Sequence, residues 1–351
     1  MLREAVVDLF CGVGGLTHGF ELEGFNVIAG LDVDRSCRYS YEKNNSSFFI
    51  HRDIRDVTGE EISKLYPACV VKILAGCAPC QQFSSYTNSK MKGDKWKLLY
   101  EFSRIVNEVQ PEIVTMENVP RLKSYKKYPV FDEFVGNLDA NGYRVTHYMV
   151  YCPDYGIPQT RRRLVLFASK FGSVEIIEKT HSPEKYVTVR DAIGSLAPID
   201  GGEILPNDPL HRARKLSELN RKRIMYTPPG GGWEDWPKDL VLNCHKGIKG
   251  KSFRSVYARM SWDKPAPTIT TQCVGFGNGR FGHPEQHRAI SLREASLIQT
   301  FQRHYDFIDS DSNFSIMTIA RHIGNAVPVV LGRVIAKSIR KHLKEHYDKG
   351  L

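Results

Sequence analysis

The sequence predicts an α/β protein in which a Rossmann-like, doubly wound, mostly parallel sheet is joined to a smaller, irregular, β-rich domain. Three observations point there. Residues 5 to about 170 alternate short apolar runs with helix-like segments, the rhythm of strands joined by crossover helices. The first strand runs into a glycine-rich turn, Cys11-Gly12-Val13-Gly14-Gly15, that opens a helix. After about residue 180 the rhythm stops and Pro and Gly become frequent, as in Thr227-Pro228-Pro229-Gly230-Gly231-Gly232-Trp233 and Pro265-Ala266-Pro267.

Taken in order, Ala5 to Phe10 reads as the first strand, Gly15 to Glu23 as a helix stopped by Gly24, and Phe25 to Leu31 as the second strand. Helices are expected at 34 to 43, 95 to 108 and 128 to 140, the last ending at Asn141-Gly142. Val70 to Ala75 and Glu112 to Met116 read as buried strands between them, and Tyr143 to Tyr151 and Leu164 to Ala168 as late strands. In the irregular region Thr268-Ile269-Thr270-Thr271 is β-like. Helical periodicity returns in Leu292 to Phe301 and Val327 to His346, with Ile323-Gly324-Asn325-Ala326-Val327-Pro328 opening the last helix. These shifts divide the chain into residues 1–183, 184–315 and 316–351, the last segment returning to the first.

The 351 residues, 41% apolar and 11% aromatic, suffice for one large domain and a smaller one and exclude a disordered chain. The net charge of +10 points to a polyanionic partner. Residues 184 to 290 hold 17 Lys+Arg against 11 Asp+Glu, so the surplus concentrates in the irregular region; a merely solvated basic face is the alternative. Eight irregularly spaced cysteines make no disulfide framework, and Met1-Leu2-Arg3-Glu4 leads into a strand without a signal-peptide apolar core. A reducing, cytoplasmic setting is expected, and no apolar stretch has the length of a membrane span.

Chemistry-bearing residues gather where strands end. Cys80 follows Val70 to Ala75 on the turn Pro79-Cys80-Gln81, where a parallel strand presents a nucleophile to a crevice. Glu117-Asn118-Val119 ends the next run, and Gln159-Thr160-Arg161-Arg162-Arg163 precedes Leu164-Val165-Leu166-Phe167. Singly, each has a plainer reading: a buried structural cysteine, a solvated carboxylate, a surface arginine cluster. Together Cys80, Glu117, Arg161 and Arg163 favour one shared site at the carboxyl edge of the sheet. Cys77-Ala78-Pro79-Cys80 also has redox or half-zinc spacing, but no second Cys/His pair completes a tetrahedral metal set, so no metal is expected.

The glycine turn lacks Gly-Lys-Ser/Thr, and Thr17 stands where a dinucleotide fingerprint needs its third glycine. An adenosyl cofactor without a pyrophosphate fits what remains, with Asp32 placed for ribose hydroxyls and Asp53 for an adenine amino group; steric relief is the plainer role of the glycines.

Asp8 to Gly15, Pro79-Cys80-Gln81, Glu117-Asn118-Val119, Gln159 to Arg163, Pro267-Thr268, Arg293-Glu294-Ala295 with Gln299, and Gly324-Asn325-Ala326-Val327-Pro328 occur in this order over nearly the whole chain. Such an order resembles the cytosine-5 DNA methyltransferase family of bacterial restriction-modification systems. Cys11 and Cys77 replace the family's usual small Ala or Gly, Ala78 a frequent proline, Gln302 a usual proline and His322 a usual glutamine. None of these falls on a residue the resemblance gives to the chemistry.

The resemblance implies a class I methyltransferase fold, S-adenosyl-L-methionine as methyl donor and double-stranded DNA as substrate. By it, Cys80 adds to C6 of a flipped-out cytosine, Glu117 holds N3 and the exocyclic amine, and Arg163, supported by Arg161, holds the base. Phe10, Gly12, Gly14, Gly15, Leu16, Asp32, Val33, Asp53, Ile54, Pro79, Leu98, Asn325 and Val327 are expected at the cofactor. Ser84, Ser85, Gln159, Thr271, Gln272 and Arg280 are expected at the DNA, with about Gln82 to Lys95 as a lid and residues 184–315 as the target-recognition domain. A monomer, acting near the nucleoid beside a cognate restriction endonuclease, completes the expectation. Two other readings stand beside it: a tRNA cytosine-5 methyltransferase, against which the long irregular region argues, and a catalytically inactive DNA-binding relative, against which intact Cys80, Glu117, Arg161 and Arg163 argue.

Overall fold

The structure, a computed structural model, describes residues 3–79, 94–124, 129–247, 250–309 and 314–348. The chain forms two compact units: Met1–Tyr151 with Arg162–Lys179 and Val327–Leu351, and Cys152–Arg161 with Thr180–Ala326.

The first unit is built on a seven-stranded sheet. In chain order its elements are β1 (Arg3–Leu9), α1 (Gly15–Leu22), β2 (Asn26–Asp32), α2 (Arg38–Asn44), β3 (Phe48–His51), α3 (Gly59–Ser63), β4 (Val70–Gly76), α4 (Leu98–Val109), β5 (Ile113–Asn118), α5 (Val130–Ala140), β6 (Arg144–Tyr151) and β7 (Arg162–Ser169). The strand order is β3-β2-β1-β4-β5-β7-β6. Strands β1 to β5 are parallel, whereas β7 runs antiparallel to both β5 and β6. The first three strands step one way from β1 and β4 steps the other, so the order reverses between β1 and β4. A crevice opens beyond the carboxyl ends of strands at such a switch point.

Strand burial explains the apolar runs: every residue of β5 is buried, as expected for a central strand covered on both faces. In α4 Leu99, Phe102, Ile105, Val106 and Val109 recur at helical spacing and are buried, and Gln110 caps the helix in the left-handed conformation before Pro111. The last helix, which follows the second unit in the chain and is labelled α11 below (Val329–Asp348), buries Leu331, Val334, Ile335, Ser338, Ile339 and Leu343. The expected 34-to-43 helix is a short 3₁₀ turn, Arg35–Cys37, capped by the Asp34 carboxylate and followed by α2.

The second unit carries α6 (Val189–Ile193), β8 (Ile204–Leu205), β9 (Asp208–Arg212), α7 (Glu218–Met225), α8 (Asn243–Lys246), α9 (Leu292–Ile298) and α10 (Ile316–Asn325). Among the described residues its strands are the antiparallel β8–β9 pair. Ile224, Trp233, Trp236, Leu240, Phe276 and Ala289 form a core there. Thr268 to Thr271 is not a strand but irregular chain entering a turn. The 323–328 motif does not open the last helix either: Ile323 to Asn325 close α10, which periodicity did not reveal, and α11 begins at Val329. Gly324 is required by close approach, since a Cβ there would lie 2.3 Å from the carbonyl carbon of Thr270.

Candidate active site

The turn after β1 combines backbone strain with open space. Phe10, a bulky residue, sits at φ 61°, and Gly12 and Gly14 at 52° and 85°. Nothing lies within 4 Å of where a Gly12 Cβ would be. Gly14 precedes α1 without a side-chain cap, so the first-turn N–H groups receive no capping acceptor from it. Gly15 and Leu16 are buried in that first turn, with Phe10 half-buried against the core.

Asp32 ends β2 and holds this turn, accepting from the Gly12 N–H at 2.9 Å and the Asp34 N–H at 2.8 Å; burial raises its pKa above the ordinary carboxylate value. Val33 beside it is 62% exposed, an unusual apolar surface next to a polar group. Asp8, which sequence reasoning gave no role, is buried and its pKa is pushed up to about 7 by desolvation. Its Oδ2 accepts from Thr17 Oγ1 at 2.7 Å, while its Oδ1 has no hydrogen-bond partner among the described residues.

A carboxylate acceptor, an exposed apolar side chain and a helix start without a side-chain cap from its N-cap residue fit the ribose, base and polar end of an adenosyl cofactor. Asp53 is otherwise engaged: it caps the 3₁₀ turn Ile54–Asp56 and pairs with Arg55 at 2.5 Å, while Ile54 is buried. Leu98 is half-buried against the core, and Val327 is buried at the return to the first unit. Asn325 is exposed and belongs to the second unit.

The second feature of the first unit lies where β4 and β5 end. Glu117, 2% exposed, is the penultimate residue of β5. Because β7 runs against β5, with Glu117 opposite Val165 and Asn118 opposite Leu164, the start of β7 lies beside the end of β5. Arg163 Nε therefore reaches Glu117 Oε1 at 2.8 Å. Contact is through charge, since among the described residues Oε1 has no aligned hydrogen-bond donor and keeps acceptor capacity. Glu117 Oε2 instead accepts from the Cys77 thiol at 2.9 Å. Asn118 Nδ2 donates to the Ala78 carbonyl at 3.2 Å, so neighbouring β5 residues grip the segment leading to Pro79. Cys80, Ser84 and Ser85, and the lid expectation around them, lie outside the described residues.

Three residues expected at the base or the DNA are bound internally in the second unit. Gln159 is fully buried: its Nε2 donates to the Ile298 carbonyl at 2.9 Å and to Gln299 Oε1 at 2.7 Å, and its Oε1 accepts from Ile269 N–H at 3.2 Å. Arg161, 3% exposed, donates to the Ile269 and Ala326 carbonyls and acts as an internal strut. Arg280 Nη1 donates to the carbonyls of Gly230, Gly231 and Arg259, which ties the arginine into the fold instead of extending it toward a base. Gln272 is exposed and Thr271 half-buried.

Residues 5–341 match the family described as C-5 cytosine-specific DNA methylase. This chain belongs to that family. The protein is 56% identical to the type II methylase M.HgiDII of Herpetosiphon aurantiacus over 98% of this chain and 97% of the relative. It is 33% identical to the type II methyltransferase M1.BsuMI of Bacillus subtilis over 94% of this chain and 79% of that protein. Among solved structures, an E. coli prophage-encoded protein assigned as a DNA modification methyltransferase superposes with a TM-score of 0.74 at 21% identity, covering 97% of this chain and all of that one. A methyltransferase of Entamoeba histolytica superposes at 0.61 with 18% identity, covering 98% and 99%; both likenesses bear on fold. No helix among the described residues is long and apolar enough to cross a membrane.

In this cytosine-5 DNA methyltransferase the residues that sequence reasoning missed are Asp8, Asn118 as a clamp, and Cys77 as a partner of Glu117. Asp8 is bound by Thr17 on α1 and Asn118 binds the segment after β4, contacts that no local pattern reports.

Proposed function

We propose that this methyltransferase uses S-adenosyl-L-methionine to methylate C5 of a cytosine flipped out of a specific duplex sequence, with Cys80 bonding transiently to C6, as the monomeric modification enzyme of a type II restriction-modification system. The similarity to M.HgiDII over nearly the full length of both chains supports the type II assignment. The observation that carries the site is the buried Glu117 carboxylate, with Arg163 against Oε1 and acceptor capacity left on that oxygen. A base presented there meets an acceptor for its exocyclic amine in a site shielded from water.

Each residue then has a physical task. The Cys80 thiolate adds to C6, and the electron pair displaced from the ring makes C5 nucleophilic. S-adenosyl-L-methionine, when bound at the turn formed by Phe10 to Leu16 with Asp32 and Val33, supplies an electrophilic methyl. Loss of the C5 proton to a base and departure of the Cys80 sulfur restore the aromatic ring. Arg163 keeps Glu117 oriented through the cycle and favours negative charge nearby. Thr271 and Gln272, with Ser84 and Ser85, are the side chains proposed at the DNA, and a cognate endonuclease acts on the same sequence in the cytoplasm.

Labelled methyl transfer decides among substrates. Label on cytosine C5 of duplex DNA, lost in Glu117→Gln by roughly 100-fold or more in kcat, is expected. Label entering tRNA and not DNA would replace this reading with the RNA one. Tight DNA and donor binding without transfer would identify an inactive relative.

A further inference from the structure

We infer that Cys77 is a positioning residue for methyl transfer: its thiol binds one oxygen of Glu117 and thereby leaves the other to face the target base. The inference rests on the catalytic reading of Glu117 given above. Cys77 is the first residue beyond β4, and its own N–H donates to the Leu9 carbonyl at the end of β1 at 3.2 Å, which fixes its main chain against the neighbouring strand. The next residue is held as well, through the Ala78 carbonyl and Asn118. A thiol on so restrained a backbone is a donor of defined direction.

The two oxygens of Glu117 are therefore unequal. Oε2 receives the S–H of Cys77 at 2.9 Å. Oε1 lies 2.8 Å from the Arg163 guanidinium without an aligned hydrogen bond. The carboxylate is gripped from β4 on one oxygen and steered from β7 on the other, so its rotation about the last side-chain bond, otherwise a soft torsion, is fixed. Without Cys77, Arg163 would be the one partner holding it among the described residues, and a single charged contact leaves that rotation free to settle in a more linear, bidentate pairing that consumes Oε1. Cysteine suits the task because a thiol donates weakly: it orients the carboxylate without competing strongly with the substrate for its charge. A small Ala or Gly at position 77 would carry no donor.

Steady-state kinetics on duplex DNA with labelled S-adenosylmethionine test this with Cys77→Ala and Cys77→Ser. The alanine variant is expected to lose roughly 10- to 100-fold in kcat, the scale of a misaligned catalytic group, with KM for DNA and donor and the melting temperature little changed. The serine variant, whose hydroxyl can donate, should recover most of the loss. Independently of turnover, the S–H stretching band of Cys77, isolated as the difference between wild type and Cys77→Ala, should move to higher frequency in Glu117→Gln, where the acceptor is neutral. Wild-type kcat in Cys77→Ala, or an S–H band indifferent to Glu117→Gln, would overturn the inference. Wild-type kcat in Glu117→Gln with the band still shifted would instead overturn the catalytic reading of Glu117 and leave the contact standing.

Discussion

At the scale of single residues, the divide between reading and support runs through side chains that look alike in the sequence. Gln159, Arg161 and Arg163 sit within five positions, yet Arg163 reaches the buried Glu117 while Gln159 and Arg161 satisfy backbone groups inside the second unit. Gln159→Leu should leave the Ile269 N–H and the Ile298 carbonyl without their partner. Buried unsatisfied groups cost about 1–3 kcal/mol each, so a loss of about 2–6 kcal/mol in unfolding free energy is expected, with the methylated sequence unchanged. Denaturant unfolding together with sequencing of methylated sites checks both halves, and a relaxed site preference at unaltered stability would restore the DNA-reading role. Glu117 and Arg163 were legible as strand-end groups. Their meeting was expected as one shared site; what the sequence did not show is that β7 runs against β5, which is what brings an arginine at the start of a strand to the carboxyl edge. Nor was the burial of Gln159 legible, since burial of an amide depends on partners more than 100 residues away.

At the scale of elements, β7 decides the site and α9 anchors the second unit. β7 pairs antiparallel with both β5 and β6; apolar runs mark strands without stating direction, so β1, β2, β4 and β5 were readable as strands, while the short β3 and the direction of β7 were not. The start of α9 is fixed by a capping box, Ser291 with Glu294, and the Glu294 carboxylate also receives both outer nitrogens of Arg288 at 2.8 and 2.7 Å. Burial alone would raise the Glu294 pKa, but the Arg288 fork and Ser291 hold it below the ordinary value. His283, 3.7 Å from Glu294, accepts the N–H groups of Glu285 and Gln286 on Nδ1 and so is held as the neutral tautomer.

Burial drives the His283 pKa from 6.5 to about 4, against the pull of Glu294 and with Arg288, Arg259 and His211 opposing further charge. A base whose folded pKa is depressed binds more protons when unfolded, so its stabilisation is present above pH 6.5 and is lost as pH falls toward 4. Each pH unit in that window costs up to about 1.4 kcal/mol. Melting temperature against pH should therefore fall more gently in His283→Gln than in the wild type between pH 6.5 and 4; equal slopes would remove His283 as the cause.

At the scale of the whole molecule, a switch-point crevice places a glycine turn after β1 and the Cys77-to-Pro79 segment after β4 beside one another, the one suited to an adenosyl group and the other leading to Cys80. The alternation of strands and helices made that scaffold readable, because period and punctuation are local properties of the chain. Apart from the helix starting at Leu292, the second unit was readable only as irregular: buried tryptophans and arginines such as Arg259 and Arg288 hold it through contacts that follow no period. The account stands most directly on Cys80 as the nucleophile. Duplex DNA with 5-fluorocytosine in place of every cytosine, incubated with the enzyme and S-adenosylmethionine, should trap a covalent complex of enzyme and methylated DNA, because fluorine cannot leave C5 as a proton does. Intact-mass measurement should show one strand attached through Cys80 in the wild type and none in Cys80→Ala; an equal adduct in Cys80→Ala, or methyl transfer surviving in that variant on ordinary DNA, would contradict it.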